Sequence, residues 1–320
     1  MVSVYSFDHD QWLARSKKRS VDPVLPKTVT KFKTDHGSEV YLVGTAHFSK
    51  ASEEDVLKTI QITQPDIVLV ELCPSRSLIM QLDENTLLKQ AKEINLSTLK
   101  TSIKQYGAMQ GVVHILLLSI SAQITKQLGM APGGEFRTAY KEALKIPGCK
   151  LVLGDRPINI TLKRAISSLS LWNKMKFVWC LLFSNESISK EDVEKYKEKD
   201  MLEEFLESMA GEYPELRLVF VDERDTFLAH SLKQAASPIM IHNPEAPDEL
   251  MLIPKVVVGV VGMGHTIGIE KRWGENIDIE PLLRLPAESS SKRIIKKVAF
   301  TSCIIILSYG GYRLVKNTFF

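Results

Sequence analysis

The chain has 320 residues, of which 44% are hydrophobic and 25% charged, as is ordinary for a folded globular protein with an ample core. Its formal net charge of +3 is close to neutral for this length and gives no basis for nucleic-acid binding. The four cysteines show no C-x-x-C spacing, which argues against a disulfide framework or a cysteine-based zinc site. No apolar signal peptide opens the sequence, so we expect a chain that faces the cytosol.

The first predicted elements follow an N-terminal segment of mixed charge. Residues 1–27 combine basic and acidic side chains with two prolines, and we expect a poorly ordered arm rather than a transit peptide because acidic residues are present. Two strands then follow, Thr28–Thr34 and a second one from Glu39, joined by a turn around Gly37. We therefore predict an α/β domain over residues 28–285.

The second of these strands opens a β-α-β unit. The runs Val40–His47 and Asp66–Glu71 are rich in Val, Ile and Leu and are separated by about twenty residues of helical character. Each run ends in a residue that can do chemistry, His47 in the first and Glu71 in the second. Because ligands of parallel sheets bind at the carboxyl ends of the strands, both side chains are candidates for a site.

Later strands and helices also place polar residues at their ends. The chain after Glu71 is predicted to be mainly helical, and a further helix begins at Gly133-Gly134 with Glu135 in its first turn. Lys150–Gly154 is a strand that leads to Asp155, and Arg224 lies on a helix between two acidic residues. Val256–Val261 is the clearest strand, and it leads through a glycine-rich turn to His265.

Four of these side chains would meet at one edge of a sheet, since His47, Glu71, Asp155 and His265 each follow a predicted strand. Two imidazoles and a carboxylate could hold a divalent metal that activates a water molecule. They could equally form a metal-free acid/base pair, in which His47 takes a proton and Glu71 orients it. A third interpretation is structural, with each histidine only hydrogen-bonding a loop.

Two further charged residues allow both a functional and a structural interpretation. Arg224 could clamp a substrate carboxylate or support a catalytic one, and it could also belong to a solvated helix face. Glu135 at a helix start is favoured by the helix dipole, which holds for any first-turn glutamate.

The C-terminal region contains an uncharged run, Val298–Tyr312, with basic residues on both sides. As a helix this run covers about 22 Å at ~1.5 Å per residue, which is short of the ~30 Å hydrocarbon core. Snorkelling of the flanking basic side chains and local thinning of the bilayer can make up the difference. We predict a basic linker at residues 286–297 and a transmembrane tail anchor at residues 298–315, with a buried helix of the globular domain as the alternative.

Six motifs resemble the TraB family in sequence and order: Gly44–His47, Val70–Arg76, Met130–Arg137, Gly154–Pro157, Glu223–Asp225 and Val260–His265. The resemblance extends over about residues 25–274. The TraB family is similar to bacterial pheromone-shutdown proteins and to the Tiki metalloproteases that clip Wnt N-termini. More distantly it resembles the erythromycin-esterase and ChaN-like haem-binding fold.

The resemblance implies a fold, a site and an activity. We predict a mixed, mainly parallel α/β sheet built from two related halves with helical insertions, plus the C-terminal transmembrane helix. The resemblance implies that the site is lined by His47, Glu71, Glu135, Arg224 and His265, with Asp155 and Arg156 supporting it. For Tiki-like members it implies a divalent-metal-dependent peptidase, with His47, His265 and Glu71 as ligands of manganese, cobalt or zinc.

The predicted function is therefore a metal-dependent hydrolase of peptides or proteins. Cytosolic eukaryotic members of this type resemble tail-anchored proteins of the mitochondrial outer membrane, and this location is predicted here, with the endoplasmic reticulum membrane as the alternative. A non-catalytic, membrane-anchored regulator or organelle tether, whose pocket binds a ligand without turnover, is the competing prediction. A haem- or metal-binding module is a third option.

Overall fold

The computed structural model describes residues 8–46, 49–81, 133–170, 172–173, 214–242 and 250–285. The chain divides after Arg284 into two compact units, and all of the second unit except Leu285 lies outside the described residues. The predicted linker and tail anchor fall in that second unit. Within the described ranges no helix is long and apolar enough to cross a membrane.

Helices and strands alternate along the described parts of the chain. The first half contains α1 (His9–Lys18), β1 (Val29–Lys33), β2 (Glu39–Thr45), α2 (Lys50–Thr63), β3 (Ile67–Val70), a 3₁₀ helix (Pro74–Met80), α3 (Gly134–Lys145), β4 (Lys150–Leu153) and α4 (Ile158–Ser168). The second half contains α5 (Pro214–Arg217), a π-helical turn (Leu218–Asp222), α6 (Glu223–Ala235), β5 (Ile239–His242), β6 (Leu250–Ile253), β7 (Val256–Gly262), α7 (Met263–Arg272) and α8 (Glu280–Leu283).

Five strands form one sheet in the order β1-β2-β7-β3-β4. Strand β1 is antiparallel to β2, whereas the three other pairings are parallel. Strands β5 and β6 pair antiparallel in a separate two-stranded sheet. The prediction of an α/β fold with a mixed, mainly parallel sheet is therefore confirmed, while its origin from two related halves stays a prediction.

The core lies on both faces of the sheet because successive strand residues point to opposite sides. One face packs against α2 and α3 through the side chains of Tyr41, Val43, Val56, Ile60, Val68, Val70, Phe136, Val258 and Val260. The other face packs against α6 and α7 through Val40, Leu42, Ile67, Leu69, Leu228, Leu232, Val257, Val261 and Ile269. Near-continuous apolar strands of this kind are expected where helices cover both faces of a parallel sheet.

The structure differs from the sequence prediction in the N-terminal region. The prediction placed a poorly ordered arm over residues 1–27, whereas residues 9–18 form helix α1. The helix begins after Asp8, whose side chain accepts a hydrogen bond from the backbone N–H of Gln11. Arg15 is buried and donates to Asp66 Oδ1 from Nε at 3.2 Å and from Nη2 at 2.9 Å. The helix is thus held by an ion pair with a residue 51 positions away, which local sequence patterns do not reveal.

Candidate functional site

The candidate site lies at the carboxyl edge of β7, β3 and β4, three neighbouring strands of the sheet. Glu71 follows β3 directly, and its N–H still bonds to the carbonyl of Val260 in β7 at 3.0 Å. Asp155 follows β4 after Gly154, and His265 lies in the first turn of α7 after β7. All three side chains are buried. The parallel sheet therefore delivers three predicted site residues to one edge.

Glu71 is the carboxylate that connects the other groups. Its Oε2 accepts a hydrogen bond of 2.7 Å from the backbone N–H of Gly262, at the end of β7. Its Oε1 accepts a hydrogen bond from Arg224 Nη2 and lies 3.3 Å from His265 Nε2. Three elements of the fold thus converge on one side chain.

Asp155 holds two arginines at once. Its Oδ1 accepts from Arg224 Nε at 3.2 Å and from the backbone N–H of Arg156 at 2.8 Å. Its Oδ2 accepts from Arg224 Nη2 at 3.2 Å and from Arg76 Nη2 at 2.6 Å. Asp155 therefore fixes the buried guanidinium of Arg224 from one side while Glu71 contacts it from another.

His265 is held between two carboxylates. Its Nδ1 lies 2.6 Å from Asp225 Oδ1, and its Nε2 faces Glu71. Burial alone would lower the pKa of His265, but the charge of Glu71 and the hydrogen bonds with both carboxylates raise it to about 9. In the absence of a bound metal the imidazole is therefore protonated at neutral pH, with a fixed orientation.

Arg224 lies on α6 directly after the π-helical turn, an irregularity often found at functional sites. Its predicted position on a helix is thus confirmed, but the helix face is buried and not solvated. Burial alone would lower the pKa of Arg224, yet the neighbouring carboxylates of Asp155 and Glu71 raise it above its ordinary value. Arg224 is consequently a permanent buried cation of the site.

Among the described residues of the site, Arg156 bonds to Asp155 through its backbone N–H. Its side chain is fully buried and points into a neighbouring cluster, where Nε donates to Thr161 Oγ1 and Nη2 to the Val219 carbonyl, both at 3.0 Å. Its Nη1 donates to Glu223, which also accepts from Arg164 Nε at 2.8 Å. Burial lowers the pKa of Arg156, an effect that Glu223 opposes. The guanidinium of Arg156 therefore supports the site without reaching its centre.

Glu135 and His47 are the two remaining predicted residues. Glu135 is buried in the first turn of α3, after Gly133 with a left-handed φ of 80°. Helix α3 packs against β3 and the 3₁₀ helix, on the opposite face of the sheet from α6. His47 lies outside the described residues. The roles of both residues stay predictions.

Sequence reasoning did not assign Asp225 and Arg76 to the site. Asp225 orients His265, and it can do so because Gly268 of α7 leaves space: a Cβ there would lie 1.8 Å from Asp225 Oδ2. In the sequence, Asp225 could have been recognised as a site residue because it belongs to a run of three charges on one helix. Arg76 could have been recognised because it belongs to the same motif as Glu71.

The described residues contain no group of three or more His, Cys, Asp or Glu side chains arranged to hold a metal ion. They do contain two neighbouring donor atoms, His265 Nε2 and Glu71 Oε1. The third predicted ligand, His47, lies outside these residues.

Comparison with known proteins places this arrangement in a family. The profile of the TraB/PrgY/gumN family matches residues 29–275. A TraB domain-containing protein of Mus musculus is 47% identical over 302 residues, 94% of this chain and 80% of the relative. One of Bos taurus is 48% identical over 296 residues, 92% and 78% of the two chains. An uncharacterised protein of Methanocaldococcus jannaschii is 30% identical over 301 residues, 91% and 68% of the two chains. This chain therefore belongs to the TraB/PrgY/gumN family.

Proposed function

We propose that this chain is a metal-dependent hydrolase of the peptidase type, with Glu71, His265 and Arg224 as its central residues. The observation that carries the proposal is the buried pair of His265 Nε2 and Glu71 Oε1, 3.3 Å apart at the carboxyl edge of the sheet. Proton transfer requires such an oriented imidazole close to a carboxylate. The resemblance of the TraB family to the Tiki metalloproteases supports the reaction class.

The donor atoms at this position fit a divalent metal. Two ligands bonded to one tetrahedral ion at ~2.1 Å lie about 3.4 Å apart, close to the observed separation of the two donors. Metal-binding histidines commonly bond a carboxylate through the other ring nitrogen, as His265 does with Asp225. His265, Glu71 and His47 would hold the ion, and manganese, cobalt and zinc all accept nitrogen and oxygen ligands. When bound, it would polarise a carbonyl group and make a water molecule more acidic.

The residues of the site can carry out the accompanying proton and charge transfers. Glu71, where it is not a ligand of the ion, would accept a proton from the attacking water, with Glu135 assisting proton transfer. Asp225 would keep His265 in one orientation through Nδ1. Arg224 keeps its charge at every physiological pH, and among the described residues its Nη1 bonds only to the Phe220 carbonyl, at the long distance of 3.5 Å. This N–H group would stabilise the negative charge that develops on the substrate oxygen.

A non-catalytic role is the second candidate, and one observation favours it. Both oxygens of Glu71 and both oxygens of Asp155 already accept hydrogen bonds from within the protein. A fully bonded network of this kind also serves as rigid structural support. In that case the chain would be a membrane-anchored regulator or organelle tether whose pocket binds a ligand without turnover.

For location we propose the cytosolic face of the mitochondrial outer membrane, with the endoplasmic reticulum membrane as the alternative. The support is the moderately apolar run Val298–Tyr312 with basic residues on both sides. Imaging of a fluorescent fusion of the full chain tests this, with Arg313 and Lys316 replaced by serine. Unchanged targeting to mitochondria would show that the charges after the run do not select the membrane.

The experiment for the hydrolase measures metal content and peptide hydrolysis on the same preparations of the full-length chain. We expect one divalent ion per chain and cleavage of members of a quenched fluorescent peptide library. His265→Ala should lose the ion, and Glu71→Gln should lower the cleavage rate by about 10²- to 10⁴-fold. His36→Ala, in the exposed turn between β1 and β2, is the matched control and should behave like the wild type.

Two outcomes would contradict the proposal. A chain that binds no ion when manganese, cobalt and zinc are supplied would remove the metal-dependent mechanism. A metal-loaded chain that cleaves no peptide of the library would make the regulator or tether the better interpretation.

A further inference from the structure

Arg76 is the charged side chain of the site that reaches solvent. It lies on the 3₁₀ helix, five residues after Glu71. Its side chain is 38% exposed, whereas those of Arg224 and Asp155 are 11% and 3% exposed. A molecule approaching the buried network from solvent on this side would therefore meet the guanidinium of Arg76.

The protein fixes the orientation of this guanidinium. Nη2 of Arg76 donates to Asp155 Oδ2 at 2.6 Å and to the backbone carbonyl of Glu71 at 3.4 Å. Because Asp155 is itself held by Arg224 and the backbone of Arg156, the position of Arg76 is tied to that of the reacting groups. An arginine held at one nitrogen still offers the other N–H groups of its planar fork to a ligand.

Nη1 and Nε of Arg76 donate no hydrogen bond to an oxygen atom within the described part of the chain, since the bonds to oxygen are made by Nη2. The guanidinium also lies beside the Cys73 thiol: burial alone would raise the pKa of that thiol, but the hydrogen bond with Ser75 and the charge of Arg76 lower it. Its Nε is buried and has no hydrogen-bond partner. A buried donor without an acceptor is unfavourable, so an acceptor brought to this guanidinium by a ligand would be bound favourably.

We propose that Arg76 binds a carboxylate of the substrate and thereby selects acidic or carboxyl-terminal peptides. The inference rests on the proposed peptidase function and specifies its substrate class. Carboxylates match the arginine fork in shape and charge, and the resulting hydrogen bonds are stronger than those to neutral groups. The neighbouring Asp155 also accepts hydrogen bonds from Arg224 and from the backbone N–H of Arg156, so its charge is shared among several donors and Arg76 keeps positive charge for a ligand. The carboxylate comes either from the C-terminus of the peptide or from an Asp or Glu side chain.

The test compares four fluorescein-labelled alanine-based peptides of equal length for binding to the full-length chain. The first has a free C-terminal carboxylate and the second a C-terminal amide. The third and fourth also end in an amide and carry one Glu or one Gln at the same internal position. We expect the first or the third peptide to bind about tenfold more tightly than its neutral counterpart, as charge-assisted hydrogen bonds require. Which of the two does so identifies the source of the carboxylate.

Protein variants then assign the preference to Arg76. Arg76→Gln should abolish the difference between charged and neutral peptides, and Arg76→Lys should retain part of it. Lys58→Gln removes the same charge from an exposed position on α2 and should leave the preference unchanged. Circular dichroism shows whether each variant is folded. If a variant does not fold, the comparison of the four peptides on the wild-type chain still tests the carboxylate preference.

The outcomes separate this inference from the proposed function. A carboxylate preference that depends on Arg76 but comes without cleavage would support the inference and contradict the peptidase. Equal binding of the four peptides, no binding of any of them, or a preference unchanged in folded Arg76→Gln would overturn the inference even if peptides were cleaved.

Discussion

The raised pKa of His265 makes the stability of the metal-free protein depend on pH. In the fold, Glu71 and Asp225 stabilise the protonated imidazole against the effect of burial, and the pKa is about 9. In the unfolded chain the imidazole loses both carboxylates and returns to about 6.5. We therefore expect the native state to be favoured by the protonation of this one side chain.

The sign and size of the effect follow from these two values. Because the folded pKa is the higher one, the contribution is fully present below about pH 6.5 and is lost as the pH rises through about 9. A rise of this size corresponds to about 3 kcal/mol of unfolding free energy. The group is almost completely buried, so solvent screening reduces this figure little.

Urea unfolding of the chelator-treated chain at several pH values from about 6 to about 10 measures the effect. The quantity to compare is the unfolding free energy of the wild type minus that of His265→Gln, since other titrating groups, such as the buried thiol of Cys149, cancel in this difference. It should fall by about 3 kcal/mol over this range. For the chelator-treated chain, a difference that stays constant or grows with pH would refute the reasoning.

Under the proposed function, the same measurement with a saturating divalent metal should give the opposite trend. The difference should then grow with pH, because the metal competes with the proton for Nε2.

Four further substitutions, one of them a control, test the packing and the charges of the fold. Arg224→Met removes the buried guanidinium that contacts both Glu71 and Asp155 and should lower the unfolding free energy by about 3–5 kcal/mol, measured by urea denaturation. Gly259→Ala places a Cβ 2.6 Å from Leu232 Cδ2 and should cost about 1–3 kcal/mol, whereas Gly274→Ala meets no atom within 4 Å and should change stability by less than about 0.5 kcal/mol. Arg15→Met removes a buried ion pair of helix α1, so limited trypsin digestion should cut the N-terminal segment faster than in the wild type.

The parts of the fold that sequence reasoning predicted are those that depend on local patterns. Strands β2, β3, β4 and β7 are short runs rich in Val, Ile and Leu; β3 is followed by Glu71 and β4 by Gly154, and β7 ends at Gly262. Since parallel strands present their carboxyl ends at one edge, the meeting of Glu71, Asp155 and His265 could be expected from the sequence alone. The order of the strands, with β7 between β2 and β3, was not contained in such patterns.

The partners of each side chain were beyond local reasoning because they are distant in sequence. Glu71 and Arg224 are 153 residues apart, and Asp225 and His265 are 40 residues apart. A charged helix such as α6 is usually solvated on one face, and nothing in its own sequence shows that its start is enclosed. The ion pair of Arg15 with Asp66 was missed for the same reason.

At the start of α6, consecutive residues contact both the centre of the site and the residues that hold it in place. Consecutive residues of a helix point about 100° apart, yet Glu223, Arg224 and Asp225 are all buried. Each therefore meets a different partner: Glu223 meets the guanidinium of Arg156, Arg224 meets the strand-end carboxylates, and Asp225 meets His265. A shift of this helical turn would change all three contacts together. The π-helical turn directly before it is consequently part of the structure that positions Arg224, and a change there should alter the site and the stability of the fold together.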